Sequence, residues 1–457
     1  MRQINLFATL MACMVASSAS AETLETALSK AYNYNPSLKS ARAASSAVDE
    51  NVAIAKSGYR PTLSIDGEYS ETKINTNASV NGVRSKPVDG YNRALVATIS
   101  QPIFRGFKTI NSVSSAKSYV KASKANLMNA EQSVLLNASI AYLAVLRDEA
   151  IVKLQKNNEK LLKKELDETK ERFKVGEVTT TDVSQAKASY ASAQSQRISA
   201  EGNLEASKAI YEQIIGETPK DLTEPKDIES FFPTSMEKAL EYAKKNNFSL
   251  RAAKQNLKAK KYDVRVSKGD LLPTVNAYAL AGRVKTENYT TDKNPTSDSV
   301  ELGVNFSMPL YNAGASRAKI RQSKYYHWQA QEDLLNAEDE LLSSITSNWE
   351  YLSANKAKIE SVKAQVKAYQ VALDGVREEE ALGNRTVLDV LNQYQYLLNA
   401  EVEEVTTRHN YYVSGLSLLQ AMGKLTAKEL KLNVDLYDAD DKYKDTSGKW
   451  LSTSIDK

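Results

Sequence analysis

Residues 300–308 alternate. Val300, Leu302, Val304, Phe306 and Met308 fall on one side, and Glu301, Gly303, Asn305 and Ser307 on the other. A strand turns successive side chains to opposite faces, so this stretch predicts a strand with one apolar and one polar face. Residues 62–70 carry the same signature, Leu63, Ile65 and Tyr69 against Ser64, Asp66, Glu68 and Ser70. Residues 94–101 and 275–282 alternate less clearly and are read as strands partly through their place in an internal repeat. The connections 73–93 and 283–299, rich in Asn, Thr, Ser and Lys, read as solvated loops.

The chain is a sequence written twice. Residues 27–62 match residues 239–274 at an offset of 212, and from residue 102 to 216 the offset is 207. Pro102 recurs as Pro309, Gly176 as Gly383, Asp182-Val183 as Asp389-Val390, and Gly216 as Gly423. Two constant offsets indicate tandem duplication. Between the strands lie segments of another kind. No Gly or Pro occurs from Lys108 to Val175, and the matching segment 315–382 is broken only by Gly375. At about 1.5 Å per residue, some 65 residues make a helix near 100 Å long. Small or short residues recur every seven positions along it, at Ala116, Ser123, Ala130, Asn137 and Ala144. That period keeps one seam against a neighbouring helix.

Each copy therefore reads as helix, two strands, long helix, return helix. The first copy spans 22–225, with strands at about 62–72 and 94–104, a long helix over 107–173 and a return helix over 182–215. The second spans 226–433, with strands at about 274–283 and 299–309, a long helix over 314–381 and a return helix over 387–422. Residues 434–457 read as a polar, disordered tail. Pro61, Pro102, Pro273 and Pro309 sit at the strand ends nearest the helices and stop helix there. Gly176 and Gly383 give each long helix the permissive backbone for a tight reversal.

Composition removes several alternatives. Residues 1–21 have a basic start at Arg2, a short apolar run and Ala19-Ser20-Ala21, which reads as a secretory leader. Cys13, the only cysteine, lies within it, so the mature chain has no thiol chemistry. Lipidation at Cys13 is the lesser alternative. Sixty basic against 56 acidic residues make no nucleic-acid footprint. His327 and His409 show no metal-ligand spacing, and no nucleophile–base pair or phosphate loop supports an enzyme or a cofactor.

Four amphipathic strands cannot close a barrel. Eight strands make one filled by its own side chains, so three copies, with twelve strands, are needed for an open lumen. Tyr59, Phe104, Phe107 and Tyr311 near the helices, and Tyr69, Tyr91 and Tyr289 toward the loops, suit two interfacial aromatic belts or a local core.

The duplicated order resembles the TolC family of outer-membrane factors. Gln101-Pro102-Ile103-Phe104 and Met308-Pro309-Leu310-Tyr311 resemble its junction of barrel and tunnel. Arg172-Phe173 with Val175-Gly176 and Thr181-Asp182-Val183 resembles one tip motif, and 382–392 the other. The resemblance implies a homotrimeric transmembrane β-barrel in outer-membrane lipid, with a helical tunnel in the periplasm. It also implies a periplasmic adaptor and an inner-membrane ABC or RND-type transporter as partners. It implies a gate in which Arg385 bonds Thr181 and Asp182 of a neighbouring helix pair, and a pore entrance at Asp389. The second acidic position of that entrance is Asn392 here, which weakens the implied anionic ring. A periplasmic adaptor is the alternative function, and would carry one hairpin without duplicated strands. A coiled-coil rod would leave 300–308 unexplained.

Overall fold

The computed structural model describes residues 22–74, 79–80, 83–84, 88–288 and 294–455. The expected leader with Cys13, and Tyr289, lie outside the described residues. Helices α1 (Leu24–Tyr34) and α2 (Pro36–Ser57) precede β1 (Thr62–Ile74). Two-residue strands β2 (Ser79–Val80) and β3 (Val83–Arg84) pair with each other, and β4 (Val88–Arg105) pairs back on β1. The long helix α3 (Lys108–Lys174) and return helix α4 (Thr180–Ile215) follow. The second copy repeats the order as α5 (Met236–Asn246), α6 (Phe248–Lys268), β5 (Thr274–Asn288), β6 (Thr296–Ser307), α7 (Ala315–Ala381) and α8 (Val387–Met422). A short α9 (Ala439–Ser447) comes last.

The long helices are 67 residues each. A Cβ added at Gly375 would meet nothing, and α7 runs through it unbroken. Both begin from two consecutive left-handed residues, Gly106-Phe107 in one copy and Ala313-Gly314 in the other. Left-handed backbone reverses the chain from strand to helix at low cost only where a glycine supplies one of the two positions.

The four long strands form one antiparallel sheet in the order β1-β4-β5-β6. Leu63 faces Ile99, Ile65 faces Ala97, Ala97 faces Ala281 and Ala281 faces Val300, so these side chains share one face. Ser64, Thr98, Leu280 and Glu301 share the other, which also carries Asp66, Glu68 and Asn305. On the first face Leu63, Ile65, Val300, Leu302 and Val304 are all at least 69% exposed. An apolar face left open to this degree is abnormal for a soluble sheet.

Three expectations need correction. The strands run past 72 and begin before 94, with Lys73 opposite Asp89 (3.7 Å), and β5 reaches Asn288. The face that is apolar nearer the helices carries Lys73, Asp89, Arg283 and Lys285 there, so apolar alternation vanishes while backbone pairing continues. Pro102 lies inside β4 and not at its end: the register shifts between Pro102 and Phe104 and pairing resumes to Arg105. A proline cannot donate to the ladder, and a bulge is the usual accommodation. The segment after 434 is an ordered element, not a disordered tail. Asp438 caps α9, Asp440 accepts from Lys124 (2.6 Å), and Arg42 and Arg60 lie over the Tyr437 and Trp450 rings.

By internal contacts the chain divides into two compact units. One comprises 37–130, 241–343 and 437–455, and holds the sheet. In it Asp270 accepts from Lys108 of α3 (3.0 Å) and Lys319 of α7 (3.2 Å), tying the N-terminal ends of both long helices to one carboxylate. The other comprises 22–36, 131–240 and 344–436. Its core includes the fully buried Leu135, Tyr142, Tyr211, Leu416, Leu418 and Leu419, and it contains both helix-to-helix reversals.

Candidate functional site

The chemistry-bearing residues singled out in the sequence gather at the two reversals, here called tips. The first tip joins α3 to α4. Glu177 N–H donates to the Arg172 carbonyl (3.0 Å) and Gly176 N–H to the Phe173 carbonyl (3.1 Å), with Gly176 at φ +81°. This is the Schellman closure, which satisfies carbonyls left over at a helix end. The second tip repeats it: Asn384 to Glu379 and Gly383 to Glu380, both 2.9 Å, with Gly383 at φ +79°.

Both return helices then start in the same way. Thr179 caps α4 and Thr386 caps α8. The Asp182 carboxylate accepts from the Thr179 N–H (2.8 Å) and hydroxyl (2.7 Å), and the Thr179 hydroxyl oxygen accepts from the Asp182 N–H. Asp389 and Thr386 make the same reciprocal pair. The backbone N–H of the capping threonine, then its hydroxyl, hold each carboxyl below the ordinary aspartate range. Asp182 is thus the third residue of α4 and closes a capping box within the helix's first turn; it is not the residue that opens the helix.

The capping boxes leave the two carboxylates engaged but not enclosed. Thr181 and Arg385 are exposed, and Asp182 and Asp389 are half-buried. Within one chain the structure does not join Arg385 to Thr181 or Asp182: its Nε donates to Glu379 of its own tip (2.8 Å). Asn392 is exposed on the next turn of α8 beyond Asp389. Above the tips, Leu162, Leu166, Ala186, Ala193, Leu373, Val387, Val390, Leu391, Tyr394 and Leu397 pack into one core shared by all four helices. An open groove of about 1350 Å³ runs beside it, with Lys164, Glu168, Arg172, Arg377, Glu378 and Glu380 in its wall.

One pair was not foreseen. Arg172 donates through Nε to Glu177 of its own tip (3.2 Å) and through Nη1 to Glu380 of the other. The signal available was a charge reversal between the copies: position 172 is Arg where its repeat partner, position 379, is Glu. Glu380 holds the guanidinium above its ordinary value, against the opposing effect of burial. Nothing at the tips forms a nucleophile–base arrangement. The chemistry available is charge, hydrogen bonding and a backbone that reverses tightly.

Comparison with known proteins gives these features a frame. Residues 27–217 and 239–424 match the family described as outer membrane efflux protein, one match per copy of the repeat. The outer membrane efflux protein BepC of Brucella suis is 35% identical over 430 residues, 94% of this chain and 91% of that protein. The outer membrane protein TolC of Escherichia coli is 26% identical over 423 residues, 90% of this chain and 84% of that protein. The crystal structure of the Campylobacter jejuni CmeC outer membrane channel superposes with a TM-score of 0.75 at 20% identity, covering 93% of this chain and 89% of that one.

Proposed function

The chain belongs to the outer membrane efflux protein family, and from that premise we propose that three copies close a twelve-stranded barrel whose helical continuation opens and shuts at the tips. As a member of that family it is an outer-membrane channel of efflux or secretion machinery, with its helices in the periplasm, and not an enzyme. The observation that carries the trimeric reading is the sheet. Among the described residues it has two unpaired edges, β1 and β6, one exposed apolar face and one polar face. Open edges invite pairing with another chain, and membranes admit sheets only when they are closed. Edge-to-edge pairing of β6 with β1 of the next copy satisfies both demands. Four strands per chain reach an open lumen at three copies.

The adaptor alternative, one hairpin without duplicated strands, does not describe this chain. In the machine we propose, a periplasmic adaptor engages the tips and an inner-membrane transporter of ABC or RND type supplies the energy. Thr181, Asp182 and Arg385 tie tips of neighbouring chains, and Asp389 with Asn392 lines the pore entrance. Arg385 is exposed and bonds its own tip through Nε, which is compatible with a second partner on its remaining N–H groups. Gly176 and Gly383 shape the tips, and Pro61, Pro102, Pro273 and Pro309 mark the junction between sheet and helices.

Purified protein should run in detergent as a heat-modifiable trimer and give discrete conductance steps in planar bilayers. A monomer without conductance would overturn the reading.

A further inference from the structure

We propose that residues 437–455 form a strap that carries Trp450 and Leu451 to the membrane surface, where with Arg60 and Arg105 they bind phospholipid of the periplasm-facing leaflet. The chain then grips the membrane at a second place, outside its sheet. The proposal rests on the reading of that sheet as part of a barrel in lipid.

The strap is tied down along its length. The Tyr437 hydroxyl lies 3.3 Å from that of Ser46, and the Arg42 guanidinium covers the Tyr437 ring. Asp440 accepts from Lys124 of α3, whose ammonium also faces the Tyr443 ring at 4.7 Å. Tyr443 packs on the cluster of Val52, Ala116 and Val120. Further on, the Arg60 guanidinium lies 4.2 Å from the centre of the Trp450 ring. Successive strap residues thus meet successive positions of α2 and then pass its end at Ser57, so Trp450 arrives just before Thr62, where β1 begins.

That point is the edge of the apolar band. The exposed apolar row runs from Leu63 to Tyr69 on β1 and from Phe306 to Val300 on β6, and gives way to Lys73 and Asp298 toward the loops. At about 3.3 Å per residue each row is roughly 20 Å long, close to the apolar band of about 25 Å that outer-membrane barrels present. Arg60 lies about 10 Å of chain from Leu63, which places Trp450 at the headgroup layer and not in the hydrocarbon.

What the strap presents there suits lipid. Trp450 is 67% exposed and Leu451 93%, and a leucine exposed to that degree is not packed within its own chain. Tyr59 beside Arg60, and Ile103 and Phe107 on either side of Arg105, are exposed too, so the patch is continuous with the apolar face of the sheet. Tryptophan and tyrosine concentrate at membrane interfaces, where one part of the ring meets hydrocarbon and another meets headgroups. The charge is complementary as well. Among the described residues Lys56, Arg60 and Arg105 form no ion pair with a carboxylate. The Arg105 guanidinium lies against Gly58, where an added Cβ would meet its Nη1 at 3.0 Å, so it stands close to Arg60 in the chain's path. Cations gathered beside an exposed apolar patch match the phosphates of a lipid surface.

The test uses the full-length protein in bilayers of phosphatidylcholine and phosphatidylglycerol, with assembly checked by heat-modifiable migration. W328F/W349F leaves Trp450 as the single tryptophan. Its emission should fall about twofold when the lipid is brominated near the headgroup end of the acyl chains. The fall should be larger with brominated phosphatidylglycerol than with brominated phosphatidylcholine, and adding R60Q/R105Q should erase that difference. Emission that bromine leaves unchanged overturns the anchor, whether Trp450 then proves open to acrylamide in water or shielded against a second copy of the chain. Equal quenching by the two lipids before R60Q/R105Q is added overturns the part given to the cations. Should W328F/W349F not assemble, L451C decides, since Cys13 lies in the expected leader. A spin label there should be relaxed more by oxygen than by a water-soluble nickel complex, and the reverse overturns the proposal. An assembled trimer with Trp450 beyond the reach of bromine removes the anchor and leaves the barrel. A wild type that forms no trimer removes both.

Discussion

The two copies of the repeat agree in backbone and differ in charge. Their tips have the same Schellman closure, the same glycine near φ +80° and the same Thr–Asp capping box. Yet Arg172 reaches across to the other tip while Arg385 stays at home on Glu379. The same division appears at the helices before the strands. In the first copy Asp49 of α2 is 2% exposed, beside a cluster formed by Val52, Ala116 and Val120 on which Tyr443 of the C-terminal segment packs. Its repeat partner in α6 is Lys261, which is exposed. Duplication preserved what backbone geometry demands and released the side chains to specialise. A chain of this kind can build a ring of like hairpins whose contacts are not alike.

The sheet is where the two copies should behave alike, and where the largest effect is expected. Val304 of β6 and its partner by repeat, Ala97 of β4, lie on the apolar face; Asn305 and Thr98 lie on the polar face. Arginine on the lipid side near mid-bilayer costs about 2–4 kcal/mol. Val304→Arg and Ala97→Arg should both reduce the yield of heat-modifiable trimer, while Asn305→Arg and Thr98→Arg assemble and change conductance. If Ala97→Arg assembles normally, the equivalence of the two hairpins in the membrane is broken.

Much of this is legible in the amino-acid sequence. The period-two rows at 62–70 and 300–308 gave the apolar face, and the absence of Gly and Pro from Lys108 to Val175 gave the long helix. Those signals are local, and a repeat reports them twice. The strand ends were not legible, because Lys73 and Asp89 pair where the apolar face has turned charged. Nor was the C-terminal segment: Asp438, Asp440 and Asp441 read as a solvated charge run until Lys124 and Asp49 are found beside them. At the tips, sequence located the turns but not the partners. Arg172 and Glu380 are 208 residues apart, and no periodicity within either copy connects them.

A smaller effect separates the copies at α2. Burial pushes the Asp49 carboxyl up to about 6, with Lys124 lowering it and Asp440 and Glu50 raising it. The folded chain therefore binds this proton more tightly than the unfolded chain, whose carboxyl has the ordinary value near 3.8. Stability from this group falls as pH rises from about 4 to about 6 and stays reduced above that window. Asp49→Asn should raise the melting temperature at pH 7.5, and the gain should disappear below about pH 4. Lys261→Gln, the matching position in the second copy, should change little at either pH. An Asp49→Asn gain that persists unchanged at pH 3.5 would show that the carboxyl's charge is not the cause.

The smallest effect on stability, and the sharpest on the comparison, concerns Arg385. Its bond to Glu379 is exposed, and such pairs contribute little to folding. If that bond were its whole role, Arg385→Ser would leave the assembled channel unchanged. In the gate we propose, the same guanidinium also meets Thr181 and Asp182 of a neighbouring chain, where Asp182 has lone pairs beyond those used by Thr179. Arg385→Ser should then raise single-channel conductance without loss of trimer, and Asp182→Ala should do so too. Asp182→Ala also removes half of a capping box, so it alone should loosen the first turn of α4, seen as faster amide exchange over 180–184. The double variant should conduct no more than the larger single one if the two residues bond each other. Glu379→Gln separates the roles: it breaks the home bond, leaves Arg385 free for the neighbour, and should leave conductance at the wild-type level. If Glu379→Gln opens the channel as far as Arg385→Ser does, the home bond is the gate, and the second tip closes itself without a partner.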